Sequence, residues 1–299
     1  MSDRPALELG RLGLGTAPLG GLYDAIDDET ARAVVERAWE LGIRYFDTAP
    51  YYGSGSAERR LGAALCERPR EAFIVSTKVG RLLRPGESGW PGAPPLEAYF
   101  DFSYDATLRS LEESLERLGL DRVDVALVHD PDDHYDEAIA GAYPALARLR
   151  DEGVVRAIGV GMNQTKLLCR FARETDPDCF LVAGRYTLLD RSAAERLLPL
   201  CDERGIAVVA AGVFNSGVLA GGSTYNYQAA SPAVLERVAE LREICALREV
   251  PLAAVALQFP VRHPAVASVL VGCRTPDEVE EDVRLFELGL TEELWRELV

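Results

Sequence analysis

The segment Ile43-Arg44-Tyr45-Phe46-Asp47-Thr48-Ala49-Pro50-Tyr51-Tyr52-Gly53 passes from an apolar run to a polar loop within a few residues. Its first four residues indicate the end of a buried strand, and the rest places an acid, two phenols, a proline and a glycine in one loop. Packing does not require an acid at the mouth of a strand, and no helical or strand periodicity holds the phenols. The segment therefore predicts a strand that delivers an acid and a proton-transfer tyrosine to one edge of a sheet.

The same order of apolar strand and amphipathic helix recurs along the chain. The expected strands are 12–16, 43–46, 73–78, 123–128, 154–160, 179–183, 206–211 and 267–271. The expected helices are 29–41, 56–66 with Ser56 as a possible N-cap, 103–118, 135–150, one opening at 163–165, 192–204, 232–247, 252–261 and 276–288. Long Gly-rich loops are expected at 80–95 and 212–222.

These segments form eight strand-then-helix units, and the strands are apolar on both faces, which is typical of a parallel sheet covered by helices. Eight such units close into a single (β/α)8 TIM barrel, an α/β fold, here expected to span 1–299 as one domain. A doubly wound sheet is the alternative, but no G-x-G-x-x-G follows the first strand. The loop at 212–217 lacks the Lys-Ser/Thr of a P-loop.

The composition of the chain limits the classes of binding partner and the cellular compartment that we expect. The chain has 299 residues, 48% apolar and 27% charged, with a net charge of −16. Because an acidic surface repels phosphate and anionic lipid, we expect neither nucleic acid nor membrane as a partner. The six Cys form no C-x-x-C, and no apolar run approaches the roughly 20 residues of a membrane span. A cytoplasmic protein with reduced thiols is expected.

Polar residues stand at the ends of three successive strands. They are Asp47 with Tyr51 or Tyr52 after the second strand, Lys78 after the third and His129 after the fourth. Since the active site of such a barrel lies at the carboxyl ends of its strands, these groups should face one another. Each has an ordinary explanation when taken alone (a turn cap, a strand-end lysine, a core histidine). Their combination favours a catalytic site.

This set of groups suits proton transfer coupled to hydride transfer. A general acid or base works best with a pKa near ~7, whereas a free tyrosine lies near ~10. The ammonium of Lys78 is expected to lower the pKa of the tyrosine, and Asp47 to pair with Lys78 and keep it charged. His129 would orient a substrate oxygen or relay a proton.

With these residues in place, the chain resembles the aldo-keto reductase superfamily over essentially its whole length. The matching motifs are Asp-Thr-Ala-Pro-Tyr-Tyr-Gly at 47–53, Ser-Thr-Lys at 76–78, Ser-Leu-Glu-Glu-Ser-Leu-Glu-Arg-Leu-Gly at 110–119 followed by Asp124, Leu-Val-His at 127–129 and Ile-Gly-Val at 158–160. The resemblance implies a barrel that uses NAD or NADP and a catalytic tetrad of Asp47, Tyr52, Lys78 and His129. It assigns the acid/base role to Tyr52 because the family's tyrosine directly precedes the glycine.

Within the family, the chain looks most like the sugar 1-dehydrogenase branch, which includes L-fucose (D-threo-aldose) and D-galactose dehydrogenases, with pyridoxal dehydrogenases nearby. The supporting stretches are 102–105, 129–132, 159–163 and 212–219. The implied activity is oxidation of an aldose at C1 to its lactone. The alternatives are an NADPH-dependent reductase of aldehydes or pyridoxal-type substrates and, more distantly, a cofactor-binding regulatory subunit. A metal-dependent hydrolase would need ligand histidines that the chain does not offer.

The resemblance also implies contacts to cofactor and substrate. The implied cofactor contacts are Thr16, Asn163, Tyr186 by stacking on nicotinamide, Phe214, Ser216, Gly217, Leu219, Gly272, Arg274, Glu278, Glu281 and Asp282. The family's usual Gln at the sixth strand falls on Ala183. The implied substrate contacts are Tyr51, Trp90, His129 and Asp130, for a sugar or aldehyde. No metal is expected, although Asp130, Asp132, Asp133 and His134 resemble ligands in sequence.

The cofactor type is predicted from the last strand and helix. Glu278 stands where NADP-using relatives often carry an arginine for the 2′-phosphate, and Gly272 stands where a lysine is frequent. A carboxylate repels phosphate and accepts a hydrogen bond from a ribose hydroxyl. The sequence therefore favours NAD, while Arg274 keeps NADP open.

Overall fold

A computed structural model describes residues 8–298 of the chain. Within that range, the strands are β1 (Leu12–Gly15), β2 (Tyr45–Asp47), β3 (Ile74–Val79), β4 (Arg81–Pro85), β5 (Leu96–Phe100), β6 (Val125–His129), β7 (Ala157–Met162), β8 (Cys179–Ala183), β9 (Ala207–Ala211), β10 (Thr224–Tyr225), β11 (Gln228–Ala229) and β12 (Val266–Val271). Eight of them form a closed barrel in the order β1-β12-β9-β8-β7-β6-β3-β2. The expected eight-stranded barrel is confirmed, whereas its extent as one domain over 1–299 stays a prediction.

All neighbouring strands of the barrel run parallel. The helices that cover them are α1 (Asp28–Glu40), α2 (Ser56–Leu65), α3 (Tyr104–Leu118), α4 (Tyr135–Glu137), α5 (Tyr143–Asp151), α6 (Thr165–Glu174), α7 (Ser192–Arg204), α8 (Pro232–Ala246), α9 (Leu252–Gln258), α10 (Pro276–Glu287) and α11 (Glu292–Leu298). A π-helix at Ala138–Ala142 joins α4 to α5, so the helix expected at 135–150 is one helical segment with a locally wider turn.

Apolar side chains form two layers. A small cluster fills the barrel interior and includes Tyr45, Leu127, Leu181 and Leu270. A much larger cluster lies between the strands and the helices. Each barrel strand is therefore buried on both faces, as the continuous apolar runs of the sequence predicted.

The structure corrects three local predictions. The segment expected as a loop at 80–95 contains β4, which pairs with β5 as an antiparallel hairpin outside the barrel. Ser56 is the first residue of α2 and is not its cap; Gly55 occupies the N-cap with φ of 84°, where no side chain caps the helix. The strand expected from Val154 begins at Ala157, because Val154 is exposed and outside the parallel ladder.

The hairpin explains how residues distant in the chain meet. Because β4 and β5 leave the barrel, β6 becomes the neighbour of β3. The carboxyl ends of β2, β3 and β6 therefore lie side by side, and each carries one of the residues that the sequence singled out.

Candidate active site

Strand pairing brings the acid and the lysine together at the barrel rim. Asp47 is the last residue of β2 and Lys78 lies near the end of β3, so both belong to the strands and do not follow them. Lys78 Nζ donates to Asp47 Oδ2 at 2.6 Å and to the carbonyl oxygen of Thr48 at 2.8 Å. The lysine side chain is 1% exposed and that of Asp47 is 4% exposed. The predicted ion pair is thus present and almost dry.

A hydrogen-bonded chain holds the carboxylate from the other side. Ser76 Oγ donates to Asp47 Oδ1 at 2.7 Å, and the Tyr45 hydroxyl lies 3.1 Å from Ser76 Oγ inside the barrel. A Cβ on Gly13 would lie 2.7 Å from the Tyr45 ring, so glycine is required beside it. Both oxygens of Asp47 are therefore occupied, which compensates for burying the charge. Sequence reasoning missed this support because Ser76 is one small residue within a buried strand.

The loop after β2 places Tyr52 over the lysine. Lys78 Nζ lies 4.6 Å from the centroid of the Tyr52 ring. The next residue, Gly53, has φ of 59°, and a Cβ there would lie 2.3 Å from the carbonyl oxygen of Gly20. The loops after β1 and β2 thus touch through backbone atoms, which keeps Tyr52 at the rim.

The electrostatics of Tyr52 differ from the prediction. Burial raises the pKa of Tyr52 to about 12, although the positive charge of Lys78 acts in the opposite direction. Lys78 therefore lowers this pKa as expected, but desolvation of the phenolate outweighs the attraction, so the pKa of Tyr52 lies above its ordinary value. For Lys78, burial opposes the charge, but Asp47 and Tyr52 outweigh it and raise the pKa of the lysine.

His129 completes the group as a neutral imidazole. It is the last residue of β6, is 5% exposed, and its ring lies 5.8 Å from the Tyr52 ring. Burial, followed by the positive charges of Arg81 and Lys78, holds its pKa well below the ordinary value. A neutral imidazole offers one donor and one acceptor. His129 can therefore hold an oxygen that is either protonated or not.

Aromatic rings flank this group. The ring of Trp90, from the connection between β4 and β5, lies 5.2 Å from that of Tyr51 and 6.1 Å from that of Tyr52. Tyr51 also lies 6.2 Å from His129. The predicted substrate residues Tyr51, Trp90 and His129 thus lie together at one opening of the barrel rim, which we call the mouth of the site.

Asp130 follows His129 and meets a residue that sequence reasoning missed. Arg81, the first residue of β4, donates from Nη2 to Asp130 Oδ2 at 2.6 Å. A charged residue three positions beyond Lys78, in a segment leaving a strand end, was the available signal. Its partner could not be read from the sequence, since the two are 49 residues apart.

Several buried polar atoms at the rim have no hydrogen-bond partner within residues 8–298. They include Thr16 Oγ1, Thr48 Oγ1, His129 Nδ1 and both side-chain atoms of Asn215. Buried polar groups are nearly always paired in folded proteins. The Thr16 backbone donates to the Asp47 carbonyl at 2.9 Å, which locates Thr16 beside the ion pair. These atoms are candidates for contact with a polar ligand, and Asn215 is one that the sequence analysis did not single out.

The other predicted cofactor residues occupy several places. Asn163 follows β7 and is half-buried, and Phe214, Ser216 and Gly217 lie in the loop after β9, whereas the Leu219 side chain is packed in the core. The Tyr186 ring packs on Phe259 and His263, which precede the start of β12. That placement does not support stacking of Tyr186 on a nicotinamide, because its ring is engaged in the layer between strands and helices.

The predicted adenosine end is a mixed-charge cluster after β12, where Gly272 precedes the buried Cys273. Glu278 Oε2 accepts from the backbone nitrogen of Arg274 at 2.6 Å, and Arg274 Nη1 donates to Asp24 at 2.7 Å. Asp282 accepts from the thiol of Cys273, and burial raises the pKa of Asp282 to about 6. Glu281 is exposed and pairs with Arg284. The only arginine of the predicted set is thus already paired with a carboxylate.

Two further findings bear on function. No group of three or more potential metal ligands occurs among residues 8–298, and the His134 ring packs against the stacked rings of Phe100 and Phe102. In the same part of the chain, every helix is too short or too polar to span a bilayer.

Comparison with known proteins shows which family and which characterised proteins the chain resembles. A model of the aldo/keto reductase family matches residues 11–299. The chain is 44% identical to a D-threo-aldose 1-dehydrogenase from a Pseudomonas species, over 98% of this chain and 94% of that protein. It is 40% identical to a pyridoxal 4-dehydrogenase from Microbacterium luteolum, over 99% and 94% of the two chains. Among solved structures, the holo form of an aldo-keto reductase from Bacillus halodurans superposes with a TM-score of 0.80 at 28% identity, covering 100% of this chain and 95% of that one.

Proposed function

The chain belongs to the aldo/keto reductase family of oxidoreductases, and from that premise we propose that it oxidises an aldose at C1 to its lactone with a nicotinamide cofactor. The observation that carries the chemistry is the buried Lys78–Asp47 ion pair beneath Tyr52, beside a neutral His129. The substrate class is supported by the similarity to a D-threo-aldose 1-dehydrogenase.

The reaction removes a hydride from C1 and a proton from the oxygen on C1. A bound nicotinamide supplies the hydride acceptor, or the donor in the reverse direction. Tyr52 takes the proton of the hydroxyl during oxidation and returns it during reduction. His129 holds the same oxygen through a hydrogen bond and, being neutral, can do so in both directions. Lys78 keeps a positive charge next to the phenol, and Asp47 keeps Lys78 charged and in place.

The residues at the rim fit a nicotinamide cofactor. Such a cofactor carries amide, hydroxyl and phosphate groups, and the rim offers unpaired polar atoms at Thr16 and Asn215. Asn163, the loop at 214–219 and the segment 272–282 would complete the binding surface. Aromatic walls at Tyr51 and Trp90 would pack on the C–H face of a sugar, with Asp130 at its hydroxyls.

We propose NAD as the preferred cofactor. Glu278 and Glu281 add negative charge where a 2′-phosphate would lie, and like charges disfavour that phosphate. Arg274 would have to leave Asp24 to neutralise it. The ion pair therefore reduces what Arg274 contributes to NADP binding.

Glu278→Gln is expected to raise the ratio of kcat/KM with NADP to that with NAD by about 3- to 10-fold, as expected for one exposed charge. Glutamine keeps an acceptor for the backbone nitrogen of Arg274, so the loop should be retained. Glu280→Gln is the matched control, since Glu280 lies on the same helix but pairs with Arg37. An unchanged ratio in Glu278→Gln would remove the electrostatic argument for NAD.

The proposed activity is tested by mixing the protein with NAD or NADP and L-fucose, D-arabinose, D-galactose or pyridoxal. Formation of reduced nicotinamide with at least one sugar, followed by absorbance, is the expected result. Reduction of generic aldehydes with NADPH and no oxidation of any sugar would overturn the dehydrogenase assignment. Tight cofactor binding without turnover on the whole panel would favour a regulatory protein.

Oxidation of pyridoxal is a second candidate. It is favoured by the 40% identity to a pyridoxal 4-dehydrogenase and by the aromatic mouth, where the rings of Tyr51 and Trp90 lie 5.2 Å apart. The same tyrosine and histidine would serve this reaction. A higher kcat/KM for pyridoxal than for each sugar would select it.

A further inference from the structure

We propose that the Arg81–Asp130 ion pair binds the hydroxyl on the carbon next to the reacting carbon. The pair would thereby select substrates that carry oxygens on these two neighbouring carbons. The inference rests on the proposed function, because it names the substrate feature that the same site recognises. Arg81 would act as a specificity-determining residue, and neither partner would exchange a proton with the substrate.

The pair lies beside the residue that holds the reacting oxygen. Asp130 Oδ2 lies 3.6 Å from His129 Nε2 and 2.6 Å from Arg81 Nη2. An oxygen held by the imidazole therefore has a carboxylate and a guanidinium as its next neighbours. A hydroxyl can donate to a carboxylate while it accepts from a guanidinium, and both hydrogen bonds are charge-assisted.

The position of Arg81 leaves donors for a ligand. Its side chain is 17% exposed, so part of the guanidinium is open to a ligand while Nη2 donates to Asp130. The guanidinium carbon lies 4.7 Å from the Tyr51 ring centroid and 4.9 Å from that of Phe100. The two rings hold the planar group at the mouth without using its N–H groups. An ion pair with Asp130 alone would not require the two aromatic rings that fix the guanidinium in this position.

The backbone of Asp130 points to the same conclusion. Asp130 has φ of 43°, in the left-handed region, and its nitrogen donates to the Gly161 carbonyl at 2.9 Å. Few residues other than glycine adopt this conformation, and aspartate does so only as an isolated residue; such backbone strain clusters at functional sites. With the backbone in this conformation, the carboxylate of Asp130 is 32% exposed and lies next to the buried imidazole of His129.

A second arginine in the same hairpin serves as the contrast. Arg84 Nε donates to Glu97 Oε1 at 2.7 Å, but these side chains are 59% and 40% exposed and pair across the strands β4 and β5. The guanidinium carbon of Arg84 lies 5.2 Å from the centroid of the Tyr99 ring. Arg84→Met therefore removes an arginine from the hairpin without touching the mouth.

The experiment compares L-fucose with 2-deoxy-L-fucose, and 2-hydroxypropanal with propanal in the reductive direction. We expect Arg81→Met and Asp130→Asn to lower kcat/KM for the hydroxylated member of each pair by about 10- to 100-fold, as for loss of a charged hydrogen bond. The analogue that lacks the hydroxyl should lose far less, so the selectivity ratio collapses. The selectivity ratio of Arg81→Lys should lie between those of the wild type and Arg81→Met, since lysine keeps the positive charge but lacks the planar pair of guanidinium N–H donors. Arg84→Met should retain the wild-type ratio.

Equal losses on both members of each pair, or no loss, would overturn the inference, because a merely structural role lowers both alike. If Arg81→Met does not fold, the nearly isosteric Asp130→Asn reports on the same contact. If the wild-type protein oxidises no sugar, the proposed function fails separately. The aldehyde pair then decides the inference: selective loss on 2-hydroxypropanal upholds it, and unchanged selectivity overturns it.

Discussion

Replacing Tyr52 with phenylalanine is expected to lower kcat/KM by about 10²- to 10⁴-fold in both directions, which is the usual contribution of one general acid/base. The substitution removes only the hydroxyl, and the ring can keep its packing 5.8 Å from His129 and 6.1 Å from Trp90. Cofactor affinity, measured by fluorescence titration, should therefore be retained. Steady-state kinetics on the purified variant measures the loss.

Tyr135→Phe is the matched control for this substitution. It removes a phenolic hydroxyl on α4 that donates to Glu174 of α6 at 3.0 Å, away from the tetrad. It should leave turnover close to wild type. Substantial turnover in Tyr52→Phe would show that another group transfers the proton.

The pH dependence gives a second readout of the same residue. Since burial raises the pKa of Tyr52 to about 12, the phenol stays protonated across the neutral range. Reduction of a carbonyl needs the protonated form. Because the phenol is protonated throughout this range, the rate of reduction should not be limited by Tyr52 between about pH 6 and 9. Oxidation needs the ionised form, so its rate should rise with pH. That rise should disappear in Tyr52→Phe.

Lys78→Met is expected to destabilise the fold by about 3–5 kcal/mol, because it leaves a buried carboxylate without its charge partner. The Asp47 side chain is 4% exposed, and among residues 8–298 the Ser76 hydroxyl would be its one remaining side-chain hydrogen-bond donor. Urea unfolding without substrate or cofactor measures the change. The expected result is a lower transition midpoint with a similar slope.

Two variants isolate the charge effect. Adding Asp47→Asn to Lys78→Met should recover part of the stability, because the unpaired charge is then removed as well. Arg32→Met breaks an exposed pair with Glu36, whose partners are 63% and 37% exposed, and should cost less than about 1 kcal/mol. A stable Lys78→Met, or a double variant that loses the sum of both single changes, would contradict this account.

The sequence was sufficient for the barrel and for the pairing of Asp47 with Lys78. Apolar runs of strand length, each followed by a helical pattern, predict parallel strands buried on both faces, and eight of them close. Once the strands run parallel, their carboxyl ends share one rim. Residues at those ends must then approach one another, as they do at 2.6 Å.

Other features depended on distances between loops, which no periodicity encodes. Arg81 meets Asp130 because the β4–β5 hairpin leaves the barrel after β3 and the chain rejoins the barrel at β6, beside β3. Asn215 becomes an unpaired buried amide only once the loop after β9 is folded. The family resemblance implied stacking of Tyr186 on the nicotinamide, whereas its ring packs on Phe259 in the cluster between the strands and the helices.

Tyr52, in the loop after β2, shows most directly what the sequence determines and what the tertiary structure decides. Its position at the rim follows from the sequence, because a strand end and a glycine-bounded loop place it there. The state of its proton does not, because the pKa is a balance between desolvation and the field of Lys78. That balance depends on how deeply the folded chain buries the phenol, and burial is a property of the whole tertiary structure.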